Sequence, residues 1–100
     1  MKVYRGTRRG DTVLVTVDGI ALDPRLDLTH CGSSVFEWGY VGDGPARLAL
    51  ALLVDCLGDE EAALAGHEDY HCAVVAGLPF AAWKLTDEDI RDTIVAMDNQ

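Results

Sequence analysis

Thirteen consecutive residues decide most of what this chain can fold into. From Pro45 to Leu57 the sequence reads Pro-Ala-Arg-Leu-Ala-Leu-Ala-Leu-Leu-Val-Asp-Cys-Leu, and Leu48 to Val54 carries no polar side chain. Proline is favoured at the first position of a helix, and Gly58 supplies the stop. A helix that is apolar all round must be covered on most of its sides. Leu48 to Val54 is also far too short to cross a bilayer. The predicted helix near 45–57 is therefore the centre of a core that the remainder of a 100-residue chain must wrap.

The flanking segments supply the wrapping. Residues 2–5 and 12–17 are β-branched and alternating enough for strands, with Gly6 to Asp11 read as a basic turn between them. Val13 to Val17, Asp18-Gly19 and Ile20 to Leu22 read as a hairpin, because Asp-Gly tolerates the positive φ angles of a tight turn. Pro24 ends the second arm. Residues 25–35 look irregular and exposed. Phe36-Glu37-Trp38 suits a strand with one buried face, and Gly39 to Gly44 is a glycine-rich bend. Asp59-Glu60-Glu61 opens a second helix that is expected to run to about Leu78, before Pro79. Trp83-Lys84-Leu85 is a last strand. Thr86 with Asp89 forms a capping box for a third helix whose Ile90, Ile94 and Met97 share a face. The expectation is one α+β domain over 1–100: a small antiparallel sheet, made of the N-terminal hairpin plus short strands, packed on about three helices.

Charge narrows the partners. Eight basic side chains face seventeen acidic ones, a net of −9, which argues against general nucleic-acid binding and against anionic lipid. The first 54 residues are balanced; from 55 onward eleven acidic residues meet only Lys84 and Arg91. Such a dipolar chain steers a basic partner, although solubility or salt adaptation produces the same composition. The candidate partner-binding acids are Asp55, Asp59, Glu60, Glu61, Glu68, Asp69, Asp87, Glu88, Asp89 and Asp92. Three cysteines without a CxxC pair, and no secretory signature after Met1, predict a soluble, reduced, cytoplasmic protein.

Four local signals carry potential chemistry. His67-Glu68-Asp69-Tyr70-His71 satisfies H-E-x-x-H, the helical spacing at which two imidazoles chelate zinc and the glutamate activates its water. Against this, Asp69 adds a carboxylate inside the motif, no third ligand is evident, and Leu64, His67, His71, Val74 and Leu78 form an apolar stripe typical of core histidines. His30-Cys31 and His71-Cys72 form a conceivable His/Cys zinc cluster if the fold joins them, whereas Cys56 reads as a small core hydrophobe. Gly39-x-x-Gly42-x-Gly44-Pro45 precedes a helix start with Arg47 in its first turn, a plausible anion site built from Gly42, Gly44 and Arg47. Its spacing is not that of a nucleotide fingerprint, and a simple strand-to-helix bend explains it as well. Arg5, Arg8 and Arg9 suit phosphate or an acidic partner, or a solvated turn. Trp38, Tyr40 and Trp83 are core residues or interface anchors. No catalytic residue, cofactor or resident metal is predicted.

Tyr4-Arg5-Gly6, Phe36-Glu37-Trp38-Gly39-Tyr40, Gly42, Gly44-Pro45-Ala46, Leu48 to Leu53, Leu78-Pro79, Trp83 and Leu85-Thr86 together resemble a family of small uncharacterised proteins from phages, plasmids and integrated elements. The resemblance covers nearly the whole chain and implies a genomic setting and no catalytic residue. In that setting small acidic proteins act stoichiometrically, some by occupying the DNA-binding groove of a host defence nuclease or CRISPR complex. The expected function is thus non-enzymatic protein–protein contact with a basic protein surface, by a monomer or homodimer, without direct nucleic-acid or membrane binding. The alternatives are a zinc-dependent hydrolase at His67, Glu68 and His71, and an anion or nucleotide module at the Gly39–Arg47 bend.

Overall fold

The computed structural model describes residues 1–28 and 33–98. Strands β1 (Val3–Arg9), β2 (Thr12–Val17) and β3 (Ile20–Ala21) are followed by helices α1 (Asp43–Leu57) and α2 (Glu60–Ala73). A single 3₁₀ turn at Val75–Gly77, strand β4 (Ala82–Thr86) and helix α3 (Asp87–Asp98) complete the chain. All pairings in the four-stranded sheet are antiparallel, in the order β3-β2-β1-β4. The α+β reading is correct.

Alternation along the strands separates two faces. Tyr4, Gly6 and Arg8 of β1 point inward with Val13, Val15 and Val17 of β2 and Trp83 and Leu85 of β4. Helix α1 lies in the core on that side; every residue from Gly44 to Val54 is buried. The sheet, α2 and the side chains of Leu28, Phe36 and Trp38 cover it, as its all-round apolar surface demands. Gly58 closes α1 in the left-handed region at φ 66°, its N–H donating to the Val54 carbonyl. Asp18 and Gly19 turn the β2–β3 hairpin with φ of 51° and 85°, the two positive angles that the Asp-Gly pair permits.

Three expectations need correction. Gly6 to Arg9 is strand, not turn; the reversal is confined to Gly10 and Asp11, and Arg9 pairs with Thr12. Gly6 belongs in a strand because the Trp83 indole lies flat on it: a Cβ there would sit 2.3 Å from Cε2 and Nε1 of that ring. Phe36-Glu37-Trp38 forms no strand. Trp38 is instead inserted side-on into the core, packed edge to face on Trp83 with ring centroids 5.6 Å apart. Helix α2 stops at Ala73 rather than near Leu78, since the β-branched pair Val74-Val75 gives way to the 3₁₀ turn and Gly77.

Candidate functional site

The eight basic side chains sort into two groups, and that sorting defines the surface. Lys2 donates to the Asp55 carboxylate at 3.2 Å. Arg8, on the inner face, forks onto Glu37 at 2.7 and 3.0 Å while its plane covers the Trp38 and Phe80 rings. This pairing raises the guanidinium pKa and holds the Glu37 carboxyl below the usual range. Arg25 grips Asp27 and Glu60. Arg47 donates to the carbonyls of Ser33, Pro24 and Arg25, and Arg91 to that of Cys56. Arg5, Arg9 and Lys84 have no hydrogen-bond or ion-pair partner among the described residues.

The ten candidate acids divide in the same way. Asp55 accepts the buried Tyr4 hydroxyl at 2.6 Å; burial first, then this bond, pushes the phenol far above its ordinary pKa. Asp59 is the N-cap of α2, accepting from the Ala62 N–H at 3.1 Å. Glu60 is taken by Arg25. Asp87 accepts the Lys2 backbone N–H, and Asp89 and Thr86 exchange the reciprocal bonds of the capping box at 3.0 and 3.1 Å. These five serve the fold. Asp55, Asp59, Glu60 and Glu61 also line an open cleft of about 730 Å³ at the α1–α2 junction, with Arg25 across it.

The remaining acids face solvent. Glu61, Asp69, Glu88 and Asp92 are exposed and unpartnered among the described residues, and Glu68 lies 3.3 Å from Nε2 of His67. All five project from α2 and α3. Asp69 and Asp98 rim a groove of about 270 Å³ between these helices, floored by Leu57, Ala62, Ala65, Gly66, Ile94 and Met97.

Both histidines of the motif are engaged within the fold. His71 is 3% exposed, and its Nε2 accepts the Gly42 N–H at 3.2 Å. Neutral His71 must then carry its proton on Nδ1, which is buried without a partner and 4.0 Å from Glu68. Nδ1 of His67 meets the Leu64 carbonyl at 2.9 Å. Among the described residues no three His, Cys, Asp or Glu side chains are grouped to hold a metal ion. Cys56 is buried, as expected, and Cys72 is exposed; the suggested pairing with His30 and Cys31 lies outside the described residues.

At the Gly39–Arg47 bend, read from the sequence as an anion site, the donors are taken up within the fold. A Cβ on Gly42 would strike the Tyr40 ring at 2.7 Å, and one on Gly44 the Glu37 Cβ at 2.8 Å, so the space above both glycines is already filled. The Gly42 N–H belongs to His71, and Arg47, 2% exposed, is turned into the loop carbonyls. His71 and Arg47 instead fasten the chain around the N-terminal end of α1.

Residues 4–96 match the model of a family of unknown function, DUF6166. The chain belongs to this family. No curated protein and no solved structure matches it. In this DUF6166 chain several residues of segments 4–6 and 36–40 have architectural roles. Tyr4 anchors Asp55, Gly6 receives Trp83, and Glu37 clamps Arg8. Gly39 takes φ 88° with its N–H on the Val75 carbonyl. No helix is long and apolar enough to cross a membrane among the described residues.

Proposed function

We propose that this DUF6166 chain is a non-enzymatic interaction protein of a mobile genetic element, acting in the host cytoplasm by docking its helical layer on a basic protein surface. The observation that carries the reading is the set of five exposed carboxylates on α2 and α3, Glu61, Glu68, Asp69, Glu88 and Asp92, left over after the fold has used the other five candidate acids. Five of the eight cations are held elsewhere by Asp55, Glu37, Asp27, Glu60 and backbone carbonyls, and the other three stand on the sheet. The groove between α2 and α3 adds an apolar anchor of the kind that gives an interface its affinity, while the acids give it rate and register.

In its finer form the partner is a nucleic-acid-binding defence complex, such as a CRISPR effector, whose lysines and arginines meet these carboxylates in place of phosphates. The test titrates purified protein into DNA cleavage by such effectors. The reading expects inhibition complete near one equivalent, relieved by moderate salt, and weakened at least about tenfold when the five acids are changed to their amides. Cleavage untouched at large excess, or inhibited equally by the amide variant, contradicts it. The filled Gly39–Arg47 bend and the occupied His71 supply no second reading.

A further inference from the structure

Arg5, Arg9 and Lys84 all emerge from the outer face of the sheet, the face no helix covers. The register puts Arg5 directly opposite Lys84 across β1 and β4, and Arg9 opposite Thr12 across β1 and β2. Thr7, Leu14, Thr16 and Ala82 lie on the same face, with Val3, Thr12, Ala21 and Thr86 at its margins, and no carboxylate projects from these strand positions. Like charges directly opposite on antiparallel strands destabilise a sheet. A solvated sheet face ordinarily mixes its signs. Here, among the described residues, none of the chain's seventeen acids forms an ion pair with these three cations.

We propose that this face is a second docking surface, distinct from the helical one, and that it takes an extended acidic segment of a protein partner. Arg5 and Arg9 are four residues apart on one strand, about 13 Å at strand rise. An extended segment of pattern acid-x-apolar-x-acid turns its first, third and fifth side chains to one side with the same span. Its carboxylates meet the Arg5–Lys84 pair and Arg9. Its central apolar side chain meets Leu14, half exposed, beside a shallow depression of about 380 Å³ lined by Thr7, Arg9, Thr12 and Leu14.

Other occupants fit less well. Single-stranded nucleic acid is gripped by aromatic stacking as well as charge, and these strand positions carry no aromatic outward. A second copy brings a net charge of −9 of its own, which keeps such chains apart. Lys84 alone would pass as the lysine that blunts an edge strand, since β4 ends the sheet. Arg5 stands on β1 where it is paired on both sides, to Thr16 and Lys84, and no such guard is needed there; Arg9 is paired on the β2 side alone.

The experiment uses the full chain and a labelled synthetic peptide, Glu-Thr-Leu-Thr-Glu with neutral ends, at low salt. The peptide binds, and its affinity falls several-fold between about 20 and about 200 mM salt. Lys84→Glu does two opposite things: it weakens the peptide at least about fivefold and raises the thermal midpoint, because it replaces the repulsion of Arg5 by an attraction. A face that only serves the fold would show no peptide affinity to lose. The proposal is overturned if the peptide does not bind, or if Lys84→Glu leaves binding unchanged. It is equally overturned if a thymidine oligonucleotide of matched charge binds more tightly than the peptide. Concentration-dependent self-association abolished by Lys84→Glu would also sink it, assigning the face to a second copy.

Discussion

Gly6→Ala tests whether the Trp83–Gly6 contact organises the sheet. In an ordinary strand this exchange is favourable by about 0.5–1 kcal/mol, since alanine loses less backbone freedom than glycine. Here the new methyl would lie 2.3 Å from Cε2 and Nε1 and 2.7 Å from Cζ2 of the indole. The ring cannot readily withdraw, because Trp38 packs against it in a T-shaped pair at 5.6 Å and both are buried. Nor can the strand, which is paired to Val15 on one side and to Trp83 on the other through Gly6 itself. Overpacking of a rigid core costs about 1–3 kcal/mol, and the absence of any retreat puts this case at about 3. For a domain of this size each kcal/mol moves the midpoint by about 4–8 °C, so a fall of about 12–24 °C is expected by circular dichroism. Trp83→Leu should cost stability alone yet partly rescue Gly6→Ala, giving a coupling of more than about 1 kcal/mol in the double-mutant cycle. A Gly6→Ala midpoint within about 2 °C of the parent would refute the reasoning.

Gly66→Ala is the contrasting case. A Cβ there meets only the Leu53 Cδ1 at 3.8 Å, so the helix propensity gain of about 1 kcal/mol should appear as a higher melting temperature. Tyr4→Phe removes the 2.6 Å bond to the Asp55 carboxylate and should cost about 1–2 kcal/mol in denaturant unfolding, with Lys2 retaining part of the charge balance. The Glu37 pKa is depressed, so Glu37 stabilises the fold above its unfolded value of about 4.3, and this contribution is lost as pH falls through the native pKa. Glu37→Gln should therefore lower the midpoint at neutral pH and flatten its acid dependence below about pH 5. Added zinc should leave the midpoint unchanged, because the His71 Nε2 is already occupied by the Gly42 N–H; a rise with zinc concentration would contradict that assignment.

Local rules made much of this fold legible. The apolar run at 48–54 and Gly58 mark α1, although it begins at Asp43, two residues before Pro45; Asp18-Gly19 marks its hairpin, and Thr86 with Asp89 marks the start of α3. What failed was long-range. Gly6 looks like a turn residue until Trp83, seventy-seven positions later, is seen to need its bare Cα. Phe36 to Trp38 alternates like a strand, yet the Arg8–Glu37 fork and the Trp38–Trp83 packing fix it as irregular chain. The site was half legible for the same reason. Acid content after residue 54 was visible, but which acids the fold consumes depends on Tyr4, Lys2 and Arg25 arriving from the other half. The outward trio escaped notice because Arg8, between Arg5 and Arg9 in sequence, points the other way, and only the β1–β4 register brings in Lys84.

The division of unpaired charge between helices and sheet is measured most directly by amide chemical-shift mapping with a short lysine-rich peptide at low salt. Perturbations confined to α2 and α3, centred on Glu61, Glu68, Asp69, Glu88 and Asp92 and erased by salt, are what the account predicts. Shifts spread evenly over the molecule, or gathered on β1 and β4, would contradict it.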